Sequence, residues 1–369
     1  MKLAIVRQTY TPFGGAERFV ERALAALVAK GVDVTVVARR WQGEATSGAQ
    51  ALRLNPFYLG RTWRDRSFAR VVQALIAERR FDLVQSHERI PGCDLYRAGD
   101  GVHATWLELR SRPTDRLSPW HRYTLAAEEA MFRDPRLRAV VCNSRMVKDD
   151  IARRFGLPDE RLRVIYNGVD LERFHPRLRD DEGRRLREKT GVGAATPVIL
   201  FVGSGYERKG LPDLLRALPR MQRLDAQLWV VGRDKQEALM RKLAQTLGID
   251  GRVMFLGPQV DVRPFYGAAD VFALPTRYDP LPNAALEALA CGLPLLTTPQ
   301  CGAAELLDAD SGLVVTAGDV TAIAYALDQL CGRSTVMRDA ARASVAHLDL
   351  AGMAAQLTAL YAELGAAPS

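Results

Sequence analysis

The chain has 369 residues, more than one hydrophobic core usually supports, so we expect two domains. Its 48% hydrophobic and 25% charged content is ordinary for a soluble globular protein, and we expect neither a membrane-spanning segment nor a signal peptide. Residues 1–170 hold 29 Lys and Arg against 20 Asp and Glu, whereas residues 171–369 hold 22 against 23. The net charge of +8 therefore lies in the first half and favours an anionic partner there, unless it reflects only an arginine-rich composition.

Short apolar runs alternate with amphipathic stretches along the chain. They predict strands at residues 3–6, 34–37, 83–85, 139–142, 198–202, 228–231, 253–256, 271–274, 295–297 and 313–315. Predicted helices between them include residues 16–30, 67–78, 212–220 and 235–247. This alternation predicts an α/β fold of two Rossmann-like, doubly wound domains facing a central cleft. We place the domains at residues 1–170 and 171–349, and a C-terminal helix at about residues 350–369 can belong to either.

Glycines follow the first predicted strand of each half. Gly14 and Gly15 open the first helix, where backbone N–H groups can approach an anion, although a plain tight turn has the same pattern. Their spacing is not G-x-G-x-x-G, which disfavours a dinucleotide cofactor. In the second half Gly203 precedes the adjacent cations Arg208 and Lys209, a natural pair for two phosphates. Because they follow a strand's carboxyl end, phosphate binding is favoured over a solvated loop tip.

Two carboxylates, Asp279 and Glu287, lie eight residues apart around the start of a predicted helix at residues 284–290. The first follows an apolar strand in a proline-rich loop, and the second lies within the helix. This arrangement can aim two hydrogen-bond acceptors at a ligand rich in hydroxyls, such as a sugar and a ribose. The alternative is that Asp279 caps the helix and Glu287 is a solvated helix residue.

Five separated motifs resemble, in order and spacing, those of the family 4 retaining glycosyltransferases. They are Gly-Gly-Ala-Glu-Arg at 14–18, Val-Ile-Tyr-Asn-Gly-Val-Asp at 164–170, Val-Gly-Ser-Gly-Tyr-Glu-Arg-Lys-Gly at 202–210, the pair of Asp279 and Glu287, and Cys-Gly-Ala-Ala-Glu at 301–305. The resemblance covers residues 1 to about 345. Within the family, Tyr-Thr-Pro-Phe-Gly-Gly at 10–15 and Tyr-Arg-Ala-Gly-Asp at 96–100 are similar to the lipopolysaccharide core glucosyltransferase I group.

The resemblance implies a GT-B fold whose N-terminal domain binds the acceptor and whose C-terminal domain binds a nucleotide sugar, expected to be UDP-glucose. Arg208 and Lys209 match the family's diphosphate-binding pair, and Glu287 matches the acid that accepts hydrogen bonds from the ribose. Asp279 stands where the family has a Glu that contacts the donor sugar, so its carboxylate is kept on a shorter arm. The other donor-binding candidates are Gly14, Gly15, Gly203, Asn283 and Ala284.

Asp100 and His103 are the candidate residues of the first domain. Many members of the family have a catalytic-site His near this place, whereas the core glucosyltransferase group has Asp, as here. Asp100 can take the acceptor's proton as a general base, orient the donor, or only cap a turn. With Arg208, Lys209 and Asp279 it completes the predicted catalytic set. We expect His103 and Glu17 to contact the acceptor.

Two segments of the first half, residues 56–64 and 106–123, mix bulky apolar and basic side chains. This composition suits peripheral contact with an anionic membrane surface, or a groove for a phosphorylated glycolipid. The alternative is that the aromatic residues are core residues flanked by solvated arginines. We expect a cytoplasmic protein that is peripheral on the inner face of the cytoplasmic membrane.

No metal and no cofactor are expected beyond the donor substrate. The chain lacks a D-x-D motif to hold a diphosphate through a metal, and its five scattered cysteines fit a reducing cytosol better than a zinc site. The combined prediction is a hexosyltransferase acting on a glycolipid or lipopolysaccharide core acceptor. The alternatives are a nucleotide-sugar epimerase and a mannosyl or N-acetylglucosaminyl transferase of exopolysaccharide synthesis. Nucleic-acid binding is disfavoured because no recognition motif accompanies the charge.

Overall fold

The structure, a computed structural model, describes residues 1–10, 27–28, 31–41, 48–110 and 112–366. The chain divides into two compact units, one of Met1–Gly168 with Leu350–Ser369 and the other of Val169–Asp349. Each unit is built on one parallel sheet with helices connecting its strands. The predicted α/β architecture with two parallel sheets is confirmed.

The first unit has a seven-stranded sheet in the order β3–β2–β1–β4–β5–β6–β7. Its strands are β1 (Lys2–Tyr10), β2 (Asp33–Trp41), β3 (Gln50–Arg53), β4 (Leu83–Ser86), β5 (Leu95–Ala98), β6 (Ala139–Cys142) and β7 (Leu162–Val164). Its described helices are α1 (Gly60–Glu78), α2 (His103–Arg110), α3 (Pro119–Phe132), α4 (Arg145–Phe155) and the C-terminal α12 (Leu350–Ala366).

The second unit has a six-stranded sheet in the order β10–β9–β8–β11–β12–β13. Its strands are β8 (Val198–Val202), β9 (Gln227–Val231), β10 (Val253–Gly257), β11 (Val271–Ala273), β12 (Leu295–Thr297) and β13 (Gly312–Val314). Its helices are α5 (Glu182–Thr190), α6 (Leu211–Ala217), α7 (Glu237–Thr246), α8 (Arg263–Ala268), α9 (Asn283–Ala290), α10 (Val320–Arg333) and α11 (Arg338–Ser344).

The first sheet is covered on both faces. Leu3 and Ile5 of β1 belong to an apolar cluster with buried side chains of α12, whereas Ala4 and Val6 belong to a second cluster with α1. Because successive side chains of a strand point to opposite faces, this pattern places α12 and α1 on opposite sides of the sheet. The C-terminal helix is therefore part of the first unit. Within the described ranges, no helix is both long and apolar enough to cross a bilayer.

Candidate functional site

Two cations and a carboxylate meet at the carboxyl edge of the second sheet. The Nζ of Lys209 lies 3.0 Å from Oδ2 of Asp279, and Nη1 of Arg208 lies 3.2 Å from the same oxygen. Arg208 also donates to the carbonyl of Tyr278 at 2.7 Å. Parallel strands β8 and β11 are neighbours, so the loops that follow them lie side by side and bring these residues together. The sequence predicts all three residues for the site, and the structure brings them into direct contact.

Backbone hydrogen bonds hold the loops of this edge in fixed relation. The carbonyl of Arg208 accepts from the N–H of Arg277 at 2.8 Å and from the hydroxyl of Thr276 at 2.9 Å. The N–H of Asp279 donates to the carbonyl of Gln300, and the N–H of Gly302 donates to the carbonyl of Asp279. The loops after β8, β11 and β12 are thereby tied to one another, and the charged side chains start from a rigid frame.

Gly203 has a steric role beside Lys209. Its φ is +147°, and a Cβ built there would lie 2.9 Å from both Cδ and Cε of the lysine. The lysine chain therefore passes over the space that a larger residue would fill. The predicted importance of this glycine has a physical basis in the path of the lysine, and its contact with a donor stays a prediction.

Helix α9 carries the other predicted donor-binding residues of the second unit. Its N-cap position is Pro282, so the capping alternative for Asp279 is wrong. Glu287 is half-buried, and its Oε2 accepts a 2.8 Å hydrogen bond from the hydroxyl of Tyr266, so it is not a solvated helix residue either. Asn283 and Ala284 lie in the first turn of α9, and both are half-buried.

Tyr266 is a site residue that the sequence analysis misses. Burial, and then the neighbouring Glu287 carboxylate, raise the pKa of Tyr266 well above its ordinary value, so the phenol stays protonated and donates to the carboxylate. One oxygen of Glu287 is thus held in place by a neutral donor. A carboxylate can accept several hydrogen bonds, so Glu287 can also accept from a ligand hydroxyl.

The arrangement combines cations that can bind an anion with carboxylates that can accept hydrogen bonds from a ligand. The Lys209 side chain is 11% exposed and the Arg208 side chain 34% exposed. Two positive charges face one carboxylate, which leaves an excess of positive charge at a partly desolvated edge where electrostatic interactions are stronger than in water. Such a group can hold a diphosphate, while Asp279 and Glu287 supply acceptors for hydroxyls.

In the first unit, the turn that carries Asp100 follows β5. Asp100 is exposed, and two interactions hold the segment that follows it. Arg89 donates to the carbonyl of Gly101 at 2.9 Å and pairs with Glu128 at 2.8 Å. Glu128 is 1% exposed and accepts from the backbone N–H of His103 at 2.8 Å.

Glu128 also accepts from the N–H of Ala104 at 3.1 Å. A carboxylate of α3 therefore caps the first turn of α2, which satisfies orphan N–H groups and faces the positive end of the helix dipole. Neither Arg89 nor Glu128 is identified from sequence, since a lone Glu within a predicted helix carries no signal of such a role.

His103 packs inside a small aromatic group. Its Nε2 lies 3.0 Å from Nδ1 of His121, and its ring meets the ring of Trp120 edge-on at 5.2 Å between centroids. Burial, then the charges of Arg89 and His121, lower the pKa of His103 to about 3, so the ring is neutral near pH 7. A contact between His103 and an acceptor stays a prediction.

Glu88 is a further carboxyl group of this edge that the sequence analysis misses. It follows β4, and its Oε1 accepts a 2.8 Å hydrogen bond from the backbone N–H of Gln8. Burial raises the pKa of Glu88 to about 7, against the lowering effect of that hydrogen bond, and the charge of Asp100 adds to the rise. An acid directly after a buried strand was the available signal, as it was for Asp279.

Glu88 is expected to make the stability of the protein fall as the pH rises. With a folded-state pKa near 7 and an ordinary value of 4.5, the folded chain keeps a proton that the unfolded chain has lost between these pH values. Its contribution is therefore complete below about pH 4.5 and lost above about pH 7. Thermal melts of the wild type and Glu88→Gln between pH 5 and 7.5 should show a flatter pH dependence in the variant, with Glu78→Gln as an exposed control. Equal slopes in all three proteins would contradict this assignment.

Three predicted residues lie outside the described residues, namely Gly14, Gly15 and Glu17. Among the residues that the structure does describe, no group of three or more His, Cys, Asp or Glu side chains is placed to hold a metal ion. The five cysteines are all buried and free.

The chain is similar to known glycosyltransferases along its length. Residues 196–333 match the family model described as glycosyl transferases group 1, and residues 13–173 match glycosyltransferase family 4. The lipopolysaccharide glucosyltransferase WaaG of Escherichia coli (strain K12) is 28% identical over 319 residues, 85% of each chain. The lipopolysaccharide core biosynthesis glycosyltransferase LpsE of Rhizobium meliloti (strain 1021) is 30% identical over 320 residues, 86% of this chain and 85% of its own. A crystal structure of WaaG, at 25% identity, has a TM-score of 0.85 over 97% of this chain and 99% of that one.

Proposed function

The chain belongs to glycosyltransferase family 4 and is a nucleotide-sugar-dependent hexosyltransferase, and we propose that its donor is UDP-glucose and its acceptor a lipopolysaccharide core. We further propose that glucose is transferred with retention of configuration at the anomeric carbon. The observation that carries the proposal is the contact of Arg208 and Lys209 with Asp279 at the carboxyl edge of the second sheet. The named activities of WaaG and LpsE support the acceptor class.

On the donor side, the diphosphate takes the place beside the two cations. As the bond between the anomeric carbon and the diphosphate oxygen breaks, negative charge gathers on the leaving group, and fixed cations in a partly desolvated site stabilise it. Asp279 then accepts from the sugar's hydroxyls, and Glu287, oriented by Tyr266, accepts from the ribose. Charge neutralisation comes from side chains in this scheme, so we propose transfer without a metal ion.

On the acceptor side, the acceptor oxygen bonds to the anomeric carbon on the face that the diphosphate leaves. In this front-face scheme the leaving phosphate takes the acceptor's proton and no enzymic nucleophile is used. Asp100, which is exposed in the turn after β5, orients the acceptor hydroxyl. Glu88 offers a second proton acceptor, and its pKa near 7 is matched to neutral pH. Both residues follow strands of the first sheet.

We also propose that the first unit contacts an anionic membrane surface. The segment of residues 56–64 exposes three large apolar side chains, Phe57 at 72%, Leu59 at 68% and Trp63 at 45%, beside arginines. In the second predicted segment, residues 106–123, Leu117 is also a large exposed apolar side chain, at 78%. In that segment Trp120 is half-buried under the guanidinium of Arg61, 3.3 Å from its ring centroid, so only part of the predicted contact surface is available.

The test is calorimetric titration with UDP, GDP and ADP, then with UDP-glucose and GDP-mannose, all in EDTA. We expect UDP to bind, UDP-glucose to bind more tightly, and Arg208→Ala to weaken both about tenfold or more. Arg185→Ala, which removes an arginine that is 73% exposed on α5, is the matched control. Preference for GDP-mannose would overturn the donor assignment, and binding that requires magnesium would overturn the metal-free scheme.

Product analysis separates transfer from the epimerase alternative. With UDP-glucose and a lipopolysaccharide core acceptor, nuclear magnetic resonance of the product should show an α-linked glucose. An epimerase would convert the donor with no acceptor present, and a β-linked product would contradict retention.

A further inference from the structure

A basic cavity lies at the amino edge of the first sheet, opposite the edge that carries Asp100. Its volume is about 480 Å³, and it is formed where α1 ends, where β4 and β6 begin, and where α12 ends. Four arginines line it, namely Arg79, Arg80, Arg136 and Arg138. Asp82 is the single acidic residue among its described lining residues.

The guanidinium groups of Arg79, Arg80 and Arg136 form no hydrogen bond or ion pair with any described residue. Arg138 is fixed differently, since it donates to the carbonyl of Leu364 at the end of α12 at 2.5 Å. Of the nearby carboxylates, Asp82 already accepts a hydrogen bond from the backbone N–H of Lys2.

The other nearby acid, Asp94, accepts from the N–H of Val84 at 2.8 Å. Burial raises the pKa of Asp94 above its ordinary value, against the lowering effects of this hydrogen bond and of the charges of Arg136 and Arg138. The cavity therefore gathers four arginines against one lining carboxylate, and Arg79, Arg80 and Arg136 are exposed to solvent. An anion that enters would meet several planar donor forks.

Apolar side chains also line the cavity. Ile76, Phe81 and Leu364 lie among the arginines and present carbon surface to the same space. A volume of about 480 Å³ exceeds what one inorganic phosphate fills and lies in the range of small-molecule sites. The shape and chemistry fit a ligand with a charged and a carbon-rich part.

We propose that this cavity is a second anion site, which binds a phosphate-bearing ligand through Arg80 and Arg136 while its apolar lining residues contact the ligand's carbon portion. The site is separate from the donor-binding residues, which all belong to the second unit or to residues 14–15. Its ligand is either a free phosphate compound or the headgroup of an anionic lipid, and these two sources share the same recognition chemistry.

The experiment uses the full chain carrying Arg208→Ala, which weakens the proposed diphosphate site of the second unit. Pyrophosphate is titrated by calorimetry into this protein, into the same protein with Arg80→Ser and Arg136→Ser, and into a control with Arg133→Ser and Arg153→Ser. The control arginines are 76% and 75% exposed in the same unit, so net charge is matched. Sedimentation with vesicles of phosphatidic acid and phosphatidylcholine is measured for the same three proteins.

We expect the cavity substitutions to weaken binding about tenfold or more, and the control substitutions to change it less than twofold. A loss confined to the pyrophosphate titration assigns a free ligand, and a loss in the vesicle assay assigns a lipid headgroup. Equal behaviour of the cavity and control variants in both assays would overturn the proposal. Folding is not at issue, because the two replaced arginines make no side-chain bonds within the described chain, and matching thermal melts would verify this.

Discussion

Replacing Lys209 by alanine is expected to lower kcat for sugar transfer about 10²- to 10³-fold, the typical loss when one preorganised group that faces transition-state charge is removed. The residue is 9% exposed, and its ammonium is held 3.0 Å from Asp279 before any ligand arrives. Because the charge is positioned in advance, little reorganisation accompanies the breaking of the glycosidic bond. The loss should fall mainly on kcat, since the interaction strengthens as the diphosphate gains charge.

Steady-state transfer assays with saturating donor measure this effect. Lys242→Ala is the matched control, because Lys242 is exposed on α7 and its side chain forms no hydrogen bond or ion pair with a described residue. Lys209→Arg is expected to recover only part of the activity, since the lysine methylenes pass 2.9 Å from where Gly203 would carry a Cβ and leave little room for a planar group. A kcat within threefold of the wild type in Lys209→Ala would contradict the charge-stabilising role.

Replacing Glu128 by alanine is expected to destabilise the first unit by roughly 3–5 kcal/mol, the range for breaking a buried pair from one side. Three donors lose their acceptor at once, namely the guanidinium of Arg89 and the backbone N–H groups of His103 and Ala104. The Arg89 side chain is 16% exposed, so water only partly replaces the lost carboxylate. The capped start of α2 and the turn after Asp100 should loosen together.

Glu129→Ala is a close control, because this neighbouring side chain is 52% exposed and pairs with Arg133 on the helix surface. It is expected to change stability by less than about 1 kcal/mol. Urea unfolding followed by circular dichroism gives both values, with the slope of the transition checked for each variant. If Glu128→Ala proves as mild as the control, the buried carboxylate does not organise this turn.

Buried parallel strands are the part of the fold that the sequence predicts best. Residues 139–142, 198–202 and 295–297 coincide with β6, β8 and β12, because a strand covered on both faces is a continuous apolar run. Strand β5 escapes this rule since Arg97 interrupts it. The guanidinium is buried, and it donates to Asn167 and to the sulfur of Met353, partners 70 and 256 residues away. Because these acceptors lie far from Arg97 in the sequence, no local sequence pattern identifies β5 as a buried strand.

The candidate site, like the fold, can be predicted only in part from the sequence. Arg208, Lys209 and Asp279 can be predicted to share an edge, because each follows a strand of one parallel sheet. Their atomic contacts, and the hydrogen bond of Tyr266 to Glu287, depend on loop paths that join residues far apart in sequence. Motif resemblance supplies the expected roles, whereas the positioning groups around Asp100 arise from tertiary packing and become visible only in the structure.

The packing of α12 on the first sheet has a consequence for the order in which the protein folds. A ribosome makes residues 169–349 before it makes the helix whose buried side chains cover Leu3, Ile5 and their neighbours. All residues of the second unit are thus synthesised while one face of the first sheet still lacks its cover. Covering that face brings together residues more than 300 positions apart, which is slow because closing so long a loop costs conformational entropy. Until this contact forms, the apolar strands are exposed and prone to aggregation. Because α12 is made after residues 169–349, its synthesis sets the earliest time at which the apolar strands of the first unit are protected from aggregation.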